Sequence, residues 1–202
     1  MGWLVLFLVL PLALLLAISE NIPILIFSCL IIIVPVLYFL KWDYKAIFQK
    51  PTLRDIALAL GLCVGYLIYA SVMGLLLEQF GIFGAGMGDS TPVSLISIPP
   101  LFFSLMVEEF IKFIPFMFFL RVFYKYSHNR KLSVIFSMIL VMIFFASLHA
   151  YTFNMLIFAI FVQGFGSIFE FIGYIKTKNI MVSYITHLCT DVLIYIIMIL
   201  GL

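Results

Sequence analysis

Three short stretches hold the side chains able to do acid–base or metal chemistry: VEEFIKFIP, FFASLHA and THLCTD. In the first, Glu108 stands four residues before Lys112 and Glu109 three before it, so on a helix either carboxylate can reach the ammonium. The two glutamates point about 100° apart around the axis. One is therefore expected to pair with Lys112 while the other works. In the second stretch, Phe145 and His149 share a face. In the third, His187 and Asp191 project together, an imidazole beside a carboxylate. That spacing lets one helix supply two metal ligands, or a ligand and its orienting partner. Two imidazoles with one or two carboxylates suit a catalytic zinc, which takes N and O ligands and keeps a position open for water. A further Glu as general base completes a metal-assisted hydrolase.

The elements that must position these groups are set by composition. Of 202 residues, 66% are hydrophobic and only 10% charged, and the mean hydropathy is +1.30. A soluble domain carries about a quarter charged residues and a disordered chain has low hydrophobicity; both classes are excluded. The apolar runs have the length of membrane-spanning helices. They predict an all-α, polytopic membrane bundle of about seven transmembrane helices: Trp3–Ile18, Ile22–Leu40, Ile56–Leu77, Ser94–Leu120, Leu132–Ala150, Met155–Tyr174 and Ile180–Leu200. The runs are continuous rather than alternating, which excludes a barrel. The chain reads as a single integral membrane domain, with the motifs on the helices of residues 94–200. The first run resembles a signal-peptide core but lacks a basic flank, and is read as a retained helix. The Gly-rich stretch Gly81–Pro92 is the expected flexible loop. Cys29, Cys63 and Cys189 lie singly in apolar runs and are read as small buried side chains, not as a disulfide or metal clip.

With seven spans the charges sort by side. Lys41, Lys45, Lys50 and Arg54, then Arg121, Lys125, Arg130 and Lys131, then Lys176 and Lys178 all fall at one end. Glu20, Glu78 and Asp89 fall at the other. The positive end is cytoplasmic by the positive-inside rule, which puts the N-terminus in the cytoplasm of a multi-pass protein of the cell membrane. His128 belongs to the solvated loop charges. No basic cluster alternates with exposed aromatics, so nucleic acid is excluded as a partner.

Glu108, Glu109, Lys112, His149, His187 and Asp191 are left inside predicted helices. Glu170 is nearer a helix end, where it can snorkel beside Lys176 and Lys178. A charge at bilayer depth costs about 2.5–3.5 kcal/mol on insertion scales, which makes such residues functional candidates. Counting about 1.5 Å per residue from the cytoplasmic edge puts Glu108 roughly 20 Å deep, His149 roughly 25 Å, His187 about 10 Å and Asp191 about 17 Å. Convergence then requires tilt or a deeper start to the later helices. Gly164 and Gly166 are expected to allow close helix approach.

The three motifs, in this order, resemble those of the CPBP (CAAX protease/Abi) and PrsW superfamily of intramembrane metalloproteases: a double Glu followed by a basic residue, FxxxH, and HxxxN or HxxxD. The resemblance runs from Glu108 to Asp191, over most of the last four helices. The chain stands between subfamilies. Its basic residue is Lys112, with Phe113 where the CPBP pattern has Arg, whereas the second motif carries His149 as in CPBP. The resemblance implies hydrolysis of a membrane-associated polypeptide at the lipid bilayer, with Zn2+ as cofactor. Glu108 would be the water-activating base, and Glu109, His149, His187 and Asp191 the metal or orienting ligands. A metal-free, glutamate-dependent variant would have His187 and Asp191 support an oxyanion. A non-catalytic scaffold and an ion-coupled transporter using Glu108, Glu109 and Asp191 are the rival readings. The second is disfavoured by the scarcity of intramembrane polar residues outside the cluster.

Overall fold

In the computed structural model, which describes residues 2–84 and 94–201, every regular element is helical. The helices are α1 (Gly2–Ala17), α2 (Ile22–Phe39), α3 (Leu53–Gln79), α4 (Ile98–Ser127), α5 (Arg130–Ser147), α6 (Phe153–Ala159), α7 (Ile168–Thr177) and α8 (Ile180–Leu200). A π turn at Ile160–Gly164 joins α6 to α7, so Phe153–Thr177 forms one interrupted segment of 25 residues. Asp89 and the part of the Gly-rich loop from residue 85 onward lie outside the described residues.

Length and apolarity suffice to cross a membrane in α2, α3, α5, the α6–α7 segment and α8. α1, with 16 residues, is short. α4 has 30 residues, but Glu108, Glu109 and Lys112 crowd its middle. The helix that departs most from lipid-like composition is thus the one carrying the charged motif. The surface agrees with an all-α membrane bundle. On α3, Leu60, Val64, Ile68, Val72 and Leu75 form an exposed stripe at helical spacing, while Ala59, Cys63 and Tyr66 face inward. Such a face is an aggregation hazard in water and a solvated one in hydrocarbon.

Local chemistry sets the helix ends. The Thr52 hydroxyl accepts from the Asp55 N–H and the Asp55 carboxylate accepts from the Thr52 N–H, a capping box that starts α3. The side chains of Asn129 and Thr152 accept from the Leu132 and Met155 N–H groups and so cap α5 and α6. His128 and Lys178 end α4 and α7 in the left-handed region. α4 is the central helix, packing against α1, α2, α5 and α8, and α8 in turn packs against α3 and α7.

Two features position the site. The first is the α7–α8 turn, which is sunk into the protein. The connection between α2 and α3 lies over it: Asn179 exchanges hydrogen bonds with the Gln49 backbone, and the Ile180 N–H donates to the Ile47 carbonyl at 3.0 Å. Asn179 and Ile180 are buried as a result. α8 therefore begins at a buried turn, and His187, two turns on, stands 3.9 Å from Glu108.

The second feature is Gly164 at the end of the π turn. A Cβ there would lie 2.8 Å from the Met142 carbonyl oxygen and 3.0 Å from the Ala146 Cβ, so glycine is what lets this segment touch α5. Gly166 does the same against the Tyr66 ring. Gly164→Val should cost about 1–3 kcal/mol by overpacking. It should also lower the unfolding temperature in detergent, whereas Gly74→Ala, inside α3 where a Cβ meets nothing within 4 Å, should raise it slightly through helix propensity.

Candidate functional site

The site is built where α4, α5, α7 and α8 meet. Glu109 and Lys112 face inward from α4, Glu170 from α7 and His187 from α8; Glu109, Lys112 and Glu170 are each only 3% exposed. Lys112 Nζ lies 2.5 Å from Glu109 Oε1 and donates to Glu170 Oε2. Ser183, one turn before His187, donates its hydroxyl to the other Glu109 oxygen. The ring of Phe145 covers the ammonium at 4.8 Å, a cation–π contact. Glu109 is thus the partner of Lys112. The Glu108 carboxylate turns away, as the 100° offset requires.

Glu108 faces both imidazoles. Its Oε2 is 4.0 Å from His149 Nε2 and 3.9 Å from His187 Nε2. The far nitrogen of each ring is fixed. His149 lies just past the end of α5, and its Nδ1 is 2.9 Å from the Phe145 carbonyl. A carbonyl only accepts, so Nδ1 carries the hydrogen, and in the neutral ring Nε2 is left with a lone pair. His187 Nδ1 is 2.8 Å from Glu109 Oε1 and donates to it; Lys112 Nζ is farther from that nitrogen, at 3.3 Å. Nε2 of His187 is again the free nitrogen. Around it stand Glu108 Oε2 at 3.9 Å, Asp191 Oδ2 at 3.8 Å and Glu170 Oε1 at 4.0 Å.

Accessibility divides the cluster. The side chains of Glu108, Asp191 and His149 keep 23%, 29% and 30% of their surface, against 3–4% for Glu109, Lys112 and Glu170. One half is a closed ion-pair lattice and the other opens outward. Beside the closed half is a cavity of about 10 Å³, bounded by Glu109, Lys112, Glu170, Phe113, Tyr174 and Ser183 among others. It has room for roughly one water.

Possible metal donors follow the same division. Among the described residues, Glu109, Glu170 and His187 offer three ligand atoms within 4.8 Å of one another. Two of these were expected as ligands and Glu170 was not, while His149 and Asp191 fall outside that group. Lys112 is already bound to Glu109 and Glu170, so the cation position among these acceptors belongs to the protein's own ammonium. The donors without a cation are His149 Nε2, His187 Nε2, Asp191 and Glu108, on the open side. By type they are zinc donors, two imidazoles each tied to an acceptor with carboxylates beside them, but no three of them lie within 4.8 Å of one another.

Comparison with protein-family models, curated proteins and solved structures finds no match to the chain. The site therefore has to be read from its own residues. Of the sequence-derived candidates, Glu108, Glu109 and Asp191 stand within 3.9 Å of His187, whereas His149 reaches the cluster only through Glu108, at 4.0 Å. Two further members are not among them. Glu170 is buried on Lys112 rather than snorkelling beside Lys176 and Lys178, and Ser183 anchors Glu109. The available signal for Glu170 was its isolation: it is the only acidic residue in the α6–α7 segment.

Proposed function

We propose that the chain is a seven-pass hydrolase of the cell membrane, with its N-terminus in the cytoplasm, that cleaves a peptide bond in a membrane-associated polypeptide. The observation carrying this reading is the shared orientation of the two imidazoles. Each has Nδ1 tied to an acceptor, and each presents a free Nε2 within 4.0 Å of the same Glu108 oxygen. A general base needs an ionisable group within one water of the proton it takes. Glu108 meets that requirement on the open side of the cluster.

In this reading Glu108 removes a proton from water as the oxygen attacks the scissile carbonyl, and passes it to the leaving amine. His149 and His187 through Nε2, with Asp191, would hold a Zn2+ ion, which would supply Lewis-acid polarisation of water and carbonyl. Glu109 fixes the tautomer and direction of His187. Lys112 and Glu170 hold Glu109, and Phe145 shields the ammonium while bracing His149, its ring centroid 4.6 Å from the imidazole.

The test compares peptide termini in membranes of cells expressing the wild type, His149→Ala or His187→Ala. New termini should appear with the wild type alone. Purified wild type should carry about one zinc per chain and His187→Ala none, by elemental analysis. Termini produced equally by all three proteins would defeat the assignment. Cleavage retained by a wild-type protein that carries no zinc would favour the metal-free variant.

A further inference from the structure

A second cavity, of about 640 Å³, lies between α1, α2 and α4 under the α2–α3 connection. Its volume is in the range of sites that hold small molecules, about 300–1,000 Å³. The wall is apolar, with Trp3 and Leu6 from α1, Leu40 from α2, and Ile114 and Met117 from α4. The one charged lining residue is Arg121, on α4. Among the described residues Arg121 forms no ion pair. It is an exposed guanidinium at the mouth of an apolar chamber. The chamber lies at the lysine-rich end of the bundle, beside the connection that carries Lys41, Lys45 and Lys50.

These features select an amphiphile with an anionic head and a hydrocarbon tail. An apolar chamber alone would take any lipid chain. An unpaired Arg at its rim favours a head that accepts two parallel hydrogen bonds, as phosphate does. Basic pockets between membrane helices recognise anionic lipid headgroups by this chemistry. We infer that the chamber is a specific site for an anionic phospholipid, its phosphate on Arg121 and one acyl chain among Leu6, Ile114 and Met117. The inference does not depend on the proposed hydrolase activity. Phe113 and Tyr174 line this chamber and the small cavity beside Lys112 alike, with ring centroids 4.9 Å apart, so they form the partition between lipid and ion-pair cluster.

Trp3 makes the site directly observable, because the chain has two tryptophans and only Trp3 lines the chamber. The full chain carrying Trp42→Phe is placed in phosphatidylcholine bilayers containing a minor share of phosphatidylglycerol with brominated acyl chains. Brominated phosphatidylglycerol should quench Trp3 several-fold more than the same share of brominated phosphatidylcholine. Arg121→Gln should bring the two curves together. Ala46→Phe, which narrows the chamber from its exposed rim, should weaken quenching by the anionic lipid. Lys125→Gln, one turn beyond Arg121, should leave the preference intact. Equal quenching by both lipids in the parent protein, or equal losses in Arg121→Gln and Lys125→Gln, would overturn the site in favour of general lipid contact or diffuse surface charge.

Discussion

Glu108→Gln should reduce cleavage about 10²- to 10⁴-fold, the usual worth of a positioned general base, and leave folding stability essentially unchanged. The two halves of this expectation come from the same geometry. Glu108 makes no ion pair closer than 3.9 Å and retains about a quarter of its side-chain exposure, so the amide loses little attraction and is not stranded in a dry core. The isostere keeps volume and shape and removes only the ability to accept and return a proton. Glu109→Gln is the contrasting variant. Its carboxylate accepts from Lys112, His187 and Ser183 in the buried half. Activity there should fall together with the unfolding temperature. Turnover measured on a substrate found from the peptide termini, beside thermal unfolding in detergent, separates the two outcomes. Glu108→Gln with full turnover would remove the proposed base. Glu108→Gln that unfolds as readily as Glu109→Gln would mean the two neighbours share one structural role.

The division between these neighbours was legible in the sequence, because adjacent helical positions cannot face the same point. Helix number and type were legible too, since long apolar runs leave the backbone one economical solution in lipid. Three particulars were not. The π turn at Ile160–Gly164 changes the phase of the segment by means of packing, not composition, and the glycines hint only at close approach. Residue counting put His187 about 10 Å shallower than Glu108, yet the two side chains stand 3.9 Å apart; the count took α8 to begin at the edge of the bundle. In fact Asn179 and the Ile47–Gln49 backbone sink that turn through hydrogen bonds between residues about 130 apart in sequence. Glu170 was assigned to the nearest lysines in sequence. Its partner is Lys112, 58 residues away on another helix, and only tertiary packing reveals that pairing.

Lys112→Met should be the most destabilising of the substitutions considered, costing about 3–5 kcal/mol, the usual result of removing one partner from a buried ion pair. Methionine fills the space of the lysine stem but leaves Glu109 and Glu170 facing each other with no cation between them. Both carboxylates are 3% exposed, and the adjoining cavity of about 10 Å³ admits too little water to solvate them. Lost stability on this scale is a large share of the 5–15 kcal/mol that holds a typical domain together. A second change distinguishes charge imbalance from simple loss of packing. Glu170→Gln in the Lys112→Met background removes the unmatched carboxylate and leaves Glu109 with His187 and Ser183 as donors. The double variant should therefore unfold at a higher temperature than Lys112→Met alone, a non-additivity expected only of residues in direct contact. If the double variant is less stable than either single one, the ammonium contributes mainly through its stem. If Lys112→Met matches the wild type, Glu109 does not depend on Lys112, and the orientation of His187 that the proposed chemistry requires must come from Ser183 and helix packing instead.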